Sequence, residues 1–409
     1  MSSHGAELLQ EIDPGQLLQT EFLGTEYRSP LVVASGTLVE RYEQIEPFID
    51  AGAGAVIPRT TRFVMERTVH PSPHLYQTGA RSRATMLNAE WTGADIAYWR
   101  PYLEKLRSFG NVILGVSGRD IEGCVKVCRE VDEYALPFLE INISCGVSNG
   151  VHGYITRNEE HIRRVCGEIK DAGVETPIAL KLGHSDAIIH LSSVAKEAGA
   201  DGIVAVNTYG PVFDFSIDTD GTPQSVLGVQ GAKGGLSGSA LFHTALTDVA
   251  DIAHEVQIPV VASGGVMTAE QATKMIYAGA SLVEVYTLLH DSGVDAPAKL
   301  TQLTTQLSQF FQTRVGRPVS EVRGAALRLL DQPTNLEPQI PLVDHELCTG
   351  CDRCIPLCLP KAIDIVETTA IRRGRQAHVV SINDDCVGCG HCVTQCPVEG
   401  ALTLPQQPN

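Results

Sequence analysis

The sequence predicts an α/β chain in which a parallel (β/α)8 TIM barrel takes up most of the length and a small cysteine-rich domain closes it. Three observations carry this reading. Short apolar runs rich in Val and Ile alternate with amphipathic stretches from about residue 30 to 290, the pattern of parallel strands joined by helices. Eight such units can be counted, and eight parallel strands, each followed by a helix, close naturally on themselves. Near the end the composition shifts, and eight of the 12 cysteines fall between positions 348 and 396. An open doubly wound sheet is the alternative that the element count leaves.

In chain order, residues 20–30 (TEFLGTEYRSP) read as a short hairpin placed to plug the bottom of the barrel. The predicted strands are 30–35 (PLVVAS), 55–59 (AVIPR), 111–116 (NVILGV), 138–143 (FLEINI), 177–182 (PIALKL), 202–206 (GIVAV), 259–263 (PVVAS) and 282–287 (LVEVYT), with helical segments such as 158–171 and 239–254 between them. Residues 60–110 exceed an ordinary strand-to-helix connection and are expected to carry substrate contacts. Residues 296–330 show helical spacing, and DQPTNLEPQIP then reads as a proline-rich tether. The expected domains are 1–295 for the barrel with its hairpin, 296–340 for the helical segment and linker, and 341–409 for the cysteine-rich module.

The net charge of −17 and the lack of any Lys/Arg-rich run argue against a nucleic-acid partner, which needs a basic stripe. No apolar stretch approaches the length of a membrane span, and MSSHGAELLQEIDPG has neither a basic flank nor a hydrophobic signal core. A cytoplasmic protein is expected, and so many thiols fit a reducing compartment.

The cysteines form two runs, Cys348-x2-Cys351-x2-Cys354-x3-Cys358 and Cys386-x2-Cys389-x2-Cys392-x3-Cys396-Pro397. That is the spacing of a ferredoxin holding two [4Fe–4S] clusters, where three thiolates wrap one cube and the fourth turns to the other. One cluster is expected on Cys348, Cys351, Cys354 and Cys396, the other on Cys386, Cys389, Cys392 and Cys358. Structural zinc or disulfides are the alternatives, and zinc knuckles rarely repeat in this spacing. The first run ends Cys358-Leu359-Pro360 instead of Cys-Pro.

In barrels the chemistry stands at the C-terminal ends of the strands. The seventh strand runs into Ser263-Gly264-Gly265 and the eighth into Tyr286-Thr287, offering backbone amides and a hydroxyl where a cofactor phosphate sits. A tight turn would also use those glycines. Lys181 lies within Ala-Leu-Lys-Leu-Gly and asks for a partner anion inside the mouth. The fourth strand delivers Asn142 and then Cys145, whose unperturbed pKa of about 8.5 suits proton exchange at a carbon acid. A small buried thiol is the plainer reading. With Asn207, Thr208, Asn88 and Glu90, these amides and hydroxyls can match the C=O and N–H edges of a cyclic imide or pyrimidine.

These residues resemble the FMN domain shared by dihydroorotate and dihydropyrimidine dehydrogenases. The likeness rests on Ala34-Ser35-Gly36, Asn142-Ile143-Ser144-Cys145, Lys181, residues 202–208, Gly234-Gly235-Leu236-Ser237-Gly238 and Gly264-Gly265, all in family order. Leu87-Asn88-Ala89-Glu90 followed by Ala97-Tyr98-Trp99, together with the attached two-cluster module, favours the dihydropyrimidine dehydrogenase branch. The resemblance implies that FMN is held by Ala34, Ser35, Gly36, Thr60, Lys181, Gly238, Gly264, Gly265 and Thr287, with Lys181 near the flavin N1–C2 edge. It implies that Asn88, Glu90, Asn142, Asn207 and Thr208 grip a pyrimidine. Cys145 would be the general acid on ring C5 as flavin N5 delivers hydride to C6. The chain departs from the family where Arg59 takes the place of a catalytic lysine, keeping the charge but not the proton donor. It departs again where Gly146-Val147 follows the cysteine in place of proline and a polar residue, with His152 further along that loop.

No strand leads into a Gly-x-Gly-x-x-Gly turn, so a nicotinamide site is not expected. Electrons are expected to come from a separate NAD(P)H-oxidising flavoprotein subunit or a ferredoxin, in a homodimer or hetero-oligomer. The main reading is reduction of the C5–C6 bond of uracil or thymine, or the reverse. The alternatives are a dihydroorotate dehydrogenase-like enzyme or another ferredoxin-linked ene-reductase, and an electron-transfer protein whose barrel has no chemistry. A tRNA dihydrouridine-forming enzyme is a remote fourth, given the acidic balance.

Overall fold

Each predicted barrel strand is present in the computed structural model, which describes residues 16–63, 75–77, 85–88, 95–144, 158–228, 233–334, 336–372 and 375–405. The hairpin comes first, as β1 (Thr20–Phe22) and β2 (Thr25–Tyr27), then β3 (Leu31–Val33) and β4 (Ala55–Val56). Two strands unforeseen in the sequence follow, β5 (Leu75–Gln77) and β6 (Thr85–Asn88). The barrel resumes with β7 (Leu114–Ser117), β8 (Leu139–Asn142), β9 (Ile178–Leu182) and β10 (Gly202–Ala205). After β11 (Tyr209–Phe213), β12 (Phe215–Ile217), β13 (Pro223–Ser225) and β14 (Lys233–Gly238), it ends with β15 (Val260–Ser263) and β16 (Ala280–Val285).

The parallel sheet runs β4-β3-β16-β15-β10-β9-β8-β7, and bridges Val56↔Val112 and Thr61↔Val116 join its two edges. The ring is therefore closed, which removes the open-sheet alternative. A second, antiparallel sheet, β11-β14-β6-β5, is built from the long insertions after β4 and β10. The predicted excess length at 60–110 thus supplies two of its strands.

A period of two along each strand points alternate side chains inward. The lowest inward layer is apolar: Val32, Ile113, Phe138, Ala179, Val204, Val261 and Leu282 form one buried cluster with Phe22 and Tyr27 of the hairpin. Phe22 meets Phe138 edge to face, centroids 5.0 Å apart. The hairpin is the plug expected of it, fastened by the Thr20 hydroxyl, which donates to the Ser281 carbonyl at 3.0 Å. Two residues further up, the same strands carry Glu140, Lys181 and Glu284, and the next step on β8 is Asn142. The outward faces of the strands and the inner faces of the helices make the larger core.

Helix 159–171 begins where expected, with the Asn158 side chain accepting from the His161 N–H, an ordinary N-cap. Asp132, ending helix Ile121–Asp132, accepts from Glu175 N–H, Thr176 N–H and the Thr176 hydroxyl, pinning the approach to β9. Burial opposes its ionisation, but these donors prevail and its pKa is lowered. A carboxyl lowered in the folded state contributes stability above its unfolded pKa and loses it as pH falls through the folded one. Asp132→Ala is expected to cost about 1–3 kcal/mol at neutral pH, with the difference narrowing in acid. Urea denaturation at pH 7 and near pH 3 checks this.

Two compact units divide at Asp331/Gln332. The helix Ala296–Phe310, expected as part of a separate linker region, instead buries Leu300, Leu303 and Leu307 in the outer core of the first unit. No helix among the described residues is long and apolar enough to cross a membrane. The second unit pairs β17 (Leu342–Val343) with β20 (Leu402–Thr403), and β18 (Ile363–Arg372) with β19 (Arg375–Ile382). This second hairpin stands between the two cysteine runs. Its small core contains Cys348, Cys354 and Cys392 beside Ile363, Val379, Val380 and Leu402.

Candidate functional site

The C-terminal ends of the strands surround one cavity. Every residue expected to hold the cofactor lines it: Ala34, Ser35 and Gly36 after β3, Thr60 after β4, Lys181 on β9, Gly238 at the end of β14, Gly264 and Gly265 after β15, and Thr287 after β16. Asn142, Asn207, Thr208 and Arg59 line it as well. Asn88 ends β6 opposite Gly235 and Leu75, while Glu90 and Cys145, with Gly146, Val147 and His152, fall outside the described residues.

A chain of hydrogen bonds crosses the mouth. Ser35 and Thr60 share one between hydroxyls at 3.2 Å, and the Asn142 amide donates to the Thr60 oxygen at 3.4 Å. Asn207 Nδ2 donates to Asn142 Oδ1 at 3.2 Å and to the Ser144 hydroxyl at 3.1 Å. Ser144 N–H donates back to Asn142 Oδ1 at 3.1 Å. Ser144 is buried and immediately precedes Cys145, so Asn142, through the Ser144 backbone N–H, and Asn207, through the Ser144 hydroxyl, fix the residue next to that cysteine.

The glycines have separate reasons. Gly36 lies beneath the Tyr286 ring, where a Cβ would stand 2.1 Å from a ring carbon. Tyr286 is held there by its hydroxyl, bonded to the Thr37 hydroxyl at 2.6 Å and receiving the Thr37 N–H at 3.0 Å. Gly265 has φ +72°, and a Cβ would meet the Phe242 nitrogen at 2.6 Å and the Gly238 oxygen at 2.7 Å, both backbone atoms that cannot yield. Gly265→Ala is expected to cost about 1–2 kcal/mol for the left-handed backbone alone, with the clash in addition, and to release flavin. Flavin content of the purified variant checks it.

Lys181 finds the anion expected of it twice over. Its Nζ lies 3.1 Å from Glu140 Oε2 and 2.7 Å from Glu284 Oε2, and both carboxylates are fully buried. Burial alone would lower the lysine pKa; the two carboxylates outweigh it and hold it raised. Neither glutamate stood out in the sequence, although each is a lone charge within an apolar strand, the same signal that marked Lys181. Arg62 and Arg119 were missed too. They line the cavity with Arg59, which also reaches Glu40 at 3.8 Å. Among the described lining residues the one acid is Glu284, and it is paired with Lys181.

In the second unit, Cys358 of the first run lines a small cavity with Cys386, Cys389 and Cys392 of the second. The Ala362 N–H donates to Cys358 Sγ at 3.2 Å and the Gly388 N–H to Cys386 Sγ at 3.4 Å. Burial pushes the Cys354 thiol up to about 11, with Cys392, Cys348 and Cys351 near enough to add to the shift.

A family model described as dihydroorotate dehydrogenase matches residues 17–307. The chain belongs to the dihydroorotate dehydrogenase family. A second model, a 4Fe-4S dicluster domain, matches residues 341–404. Among curated relatives, the dihydroorotate dehydrogenase B (NAD(+)) catalytic subunit of Methanothermobacter thermautotrophicus is 27% identical over 314 residues, covering 76% of this chain and 98% of that protein. Its counterpart in Methanocaldococcus jannaschii is 29% identical, covering 68% and 89%. That of Bacillus cereus is 30% identical, covering 66% and 85%. The chain is thus an oxidoreductase of the dihydroorotate dehydrogenase family acting on CH–CH bonds, with the family's FMN and, from the eight-cysteine dicluster pattern, two [4Fe–4S] clusters.

The residues fit both groups. A phosphate would be served by the turns at Gly238, Gly264-Gly265 and Thr287, which all line the cavity and of which Gly264 and Gly265 leave no room for a Cβ. An electron-rich ring would be served by Lys181. The sulfur-directed N–H groups at Cys358 and Cys386 suit thiolates carrying iron.

Proposed function

We propose that this chain is the substrate-handling component of an FMN and iron–sulfur oxidoreductase whose ring substrate carries a carboxylate, as dihydroorotate does. The observation that carries this is the lining of the cavity: three guanidinium groups, Arg59, Arg62 and Arg119, stand on it in a chain of net charge −17, while Lys181 is matched by Glu140 and Glu284. A neutral pyrimidine offers the guanidinium groups no anion. A carboxylated one pairs with guanidinium in the fork geometry that favours arginine for carboxylates. The names of the relatives point the same way.

In this reading Asn142, Asn207 and Thr208 orient the ring amides, with Asn88 and Glu90 completing the grip from β6 and the segment after it. Arg59, Arg62 and Arg119 hold the carboxylate end and exclude neutral rings. Cys145 gives or takes the proton at the ring carbon. Bound FMN supplies the hydride exchange with the neighbouring carbon and passes electrons on singly. Ala34, Ser35, Gly36, Thr60, Gly238, Gly264, Gly265 and Thr287 would hold it, and Lys181 would offset negative charge on its ring.

The dicluster domain carries electrons between the flavin and a separate protein, an NAD(P)H-handling flavoprotein subunit or a ferredoxin. The cavity shared by Cys358, Cys386, Cys389 and Cys392 favours crossed ligation, with Cys348, Cys351, Cys354 and Cys396 on the other cluster. The second reading, reduction of uracil or thymine, is favoured by the Leu87-Asn88-Ala89-Glu90 stretch and the attached dicluster module. Equilibrium titration of the oxidised holoprotein with orotate and with uracil, followed by the flavin spectrum, separates the two. Orotate is expected to bind at least tenfold more tightly. Uracil binding as tightly or more tightly would favour the second reading.

A further inference from the structure

The layer between the apolar plug and the open cavity is ionic, and its charges do not balance. Glu140 on β8, Lys181 on β9 and Glu284 on β16 meet inside the barrel; the carboxylates are fully buried and the lysine is 5% exposed. Fully ionised, two carboxylates and one ammonium leave one net negative charge in a buried cluster. Such a charge costs several kcal/mol of solvation, and one added proton removes it.

The hydrogen bonding asks for that proton independently. Oε1 of Glu140 and Oε1 of Glu284 are buried and make no hydrogen bond among the described residues, although the Ser263 hydroxyl stands beside the Glu284 carboxyl. Both carboxyl groups converge on the one Lys181 Nζ, yet two carboxylates can only accept. A proton on one makes it the donor that the other lacks. The distances indicate which: Glu284 makes the shorter contact to Lys181, 2.7 Å against 3.1 Å for Glu140.

We propose that Glu140 is held as a neutral carboxylic acid hydrogen-bonded to the Glu284 carboxylate, and that this shared proton leaves Glu284 as the one counter-ion of Lys181, setting the net charge beneath the flavin ring at zero. The flavin half of the statement rests on FMN occupying the cavity that Lys181 and Glu284 line. The electrostatic directions agree with it: burial, then the neighbouring Glu284 charge, raises Glu140 well above the usual carboxyl range. Burial opposes ionisation of Glu284 also, but Lys181 outweighs it and Glu284 is lowered. Both glutamates act as positioning residues, through the lysine.

A consequence distinguishes this arrangement from a fully ionised one. If a proton is already shared, Glu140→Gln keeps the native charge, and Glu284→Gln lets Glu140 ionise in its place, so neither alters the charge that the flavin meets. Infrared spectroscopy at neutral pH, with a redox titration of the same holoproteins, reads both halves. The native protein is expected to show the C=O stretch of a buried protonated carboxyl, absent from each single variant. The equilibrium constant for two-electron reduction of the flavin should stay within twofold in both. Absence of that band from the native protein, or its persistence in Glu140→Gln, overturns the proposal. So does a flavin reduced tenfold or more favourably in either variant, about 30 mV. The infrared band needs no flavin, so failure of the cofactor reading and failure of the shared proton remain distinguishable.

Discussion

Lys181→Met lowers the stability of the barrel unit by about 3–5 kcal/mol at neutral pH, because it strips the ammonium that pairs with two buried carboxyl groups. Methionine fills the stem of the lysine, so the loss is that of the charge and its two contacts at 3.1 and 2.7 Å, not of packing. The pH dependence has a definite sign. Without the cation, both glutamates have folded-state pKa values above their unfolded ones, so the folded variant binds more protons and is most stable in acid. The deficit should therefore shrink below the normal carboxyl range and grow as the pH rises. Adding Glu140→Gln and Glu284→Gln to Lys181→Met should restore most of the stability, since a neutral layer has no unpaired charge to bury. Urea denaturation of the single and triple variants at two pH values measures both effects.

Arg62→Ala with Arg119→Ala is the second large change. Both side chains line the cavity, and a charged hydrogen bond to a carboxylate contributes about 1.5–3 kcal/mol. Orotate affinity should fall by roughly 10–100-fold for each bond lost, while uracil affinity stays within a few-fold. Flavin content and the position of the oxidised flavin band should be unchanged, which separates loss of the anion clamp from loss of the cofactor. Equal losses for orotate and uracil would instead place the arginines in general support of the pocket.

The barrel was legible because each strand is a Val/Ile run bounded by turn residues, and because inward and outward faces alternate with period two. The same period made Lys181 conspicuous, since its strand is otherwise apolar on both faces. Its partners were not legible: Glu140 and Glu284 are 41 and 103 positions from Lys181, and only closure of the ring brings them together. Arg62 and Arg119 were passed over because an arginine just beyond a strand ordinarily faces solvent. The antiparallel sheet over the insertions left little trace, because LYQ and TMLN are too short to show alternation. The β18–β19 hairpin was hidden for a different reason: its run, IDIVETTAIR then RQAHVVSI, has charges on both faces, as a two-stranded ribbon can. The cysteine runs were plain because cluster ligation is written in local spacing. The crossed assignment of the fourth cysteines was read from the same spacing, and the cavity lined by Cys358, Cys386, Cys389 and Cys392 is consistent with it.

Anaerobic mixing of the oxidised holoprotein with dihydroorotate, and separately with dihydrouracil, tests the central claim most directly. The expected result is rapid bleaching of the flavin band by dihydroorotate, followed by reduction of the clusters, with dihydrouracil far slower. Bleaching by dihydrouracil with none by dihydroorotate would contradict the account, for the cations of the cavity would then serve no substrate carboxylate.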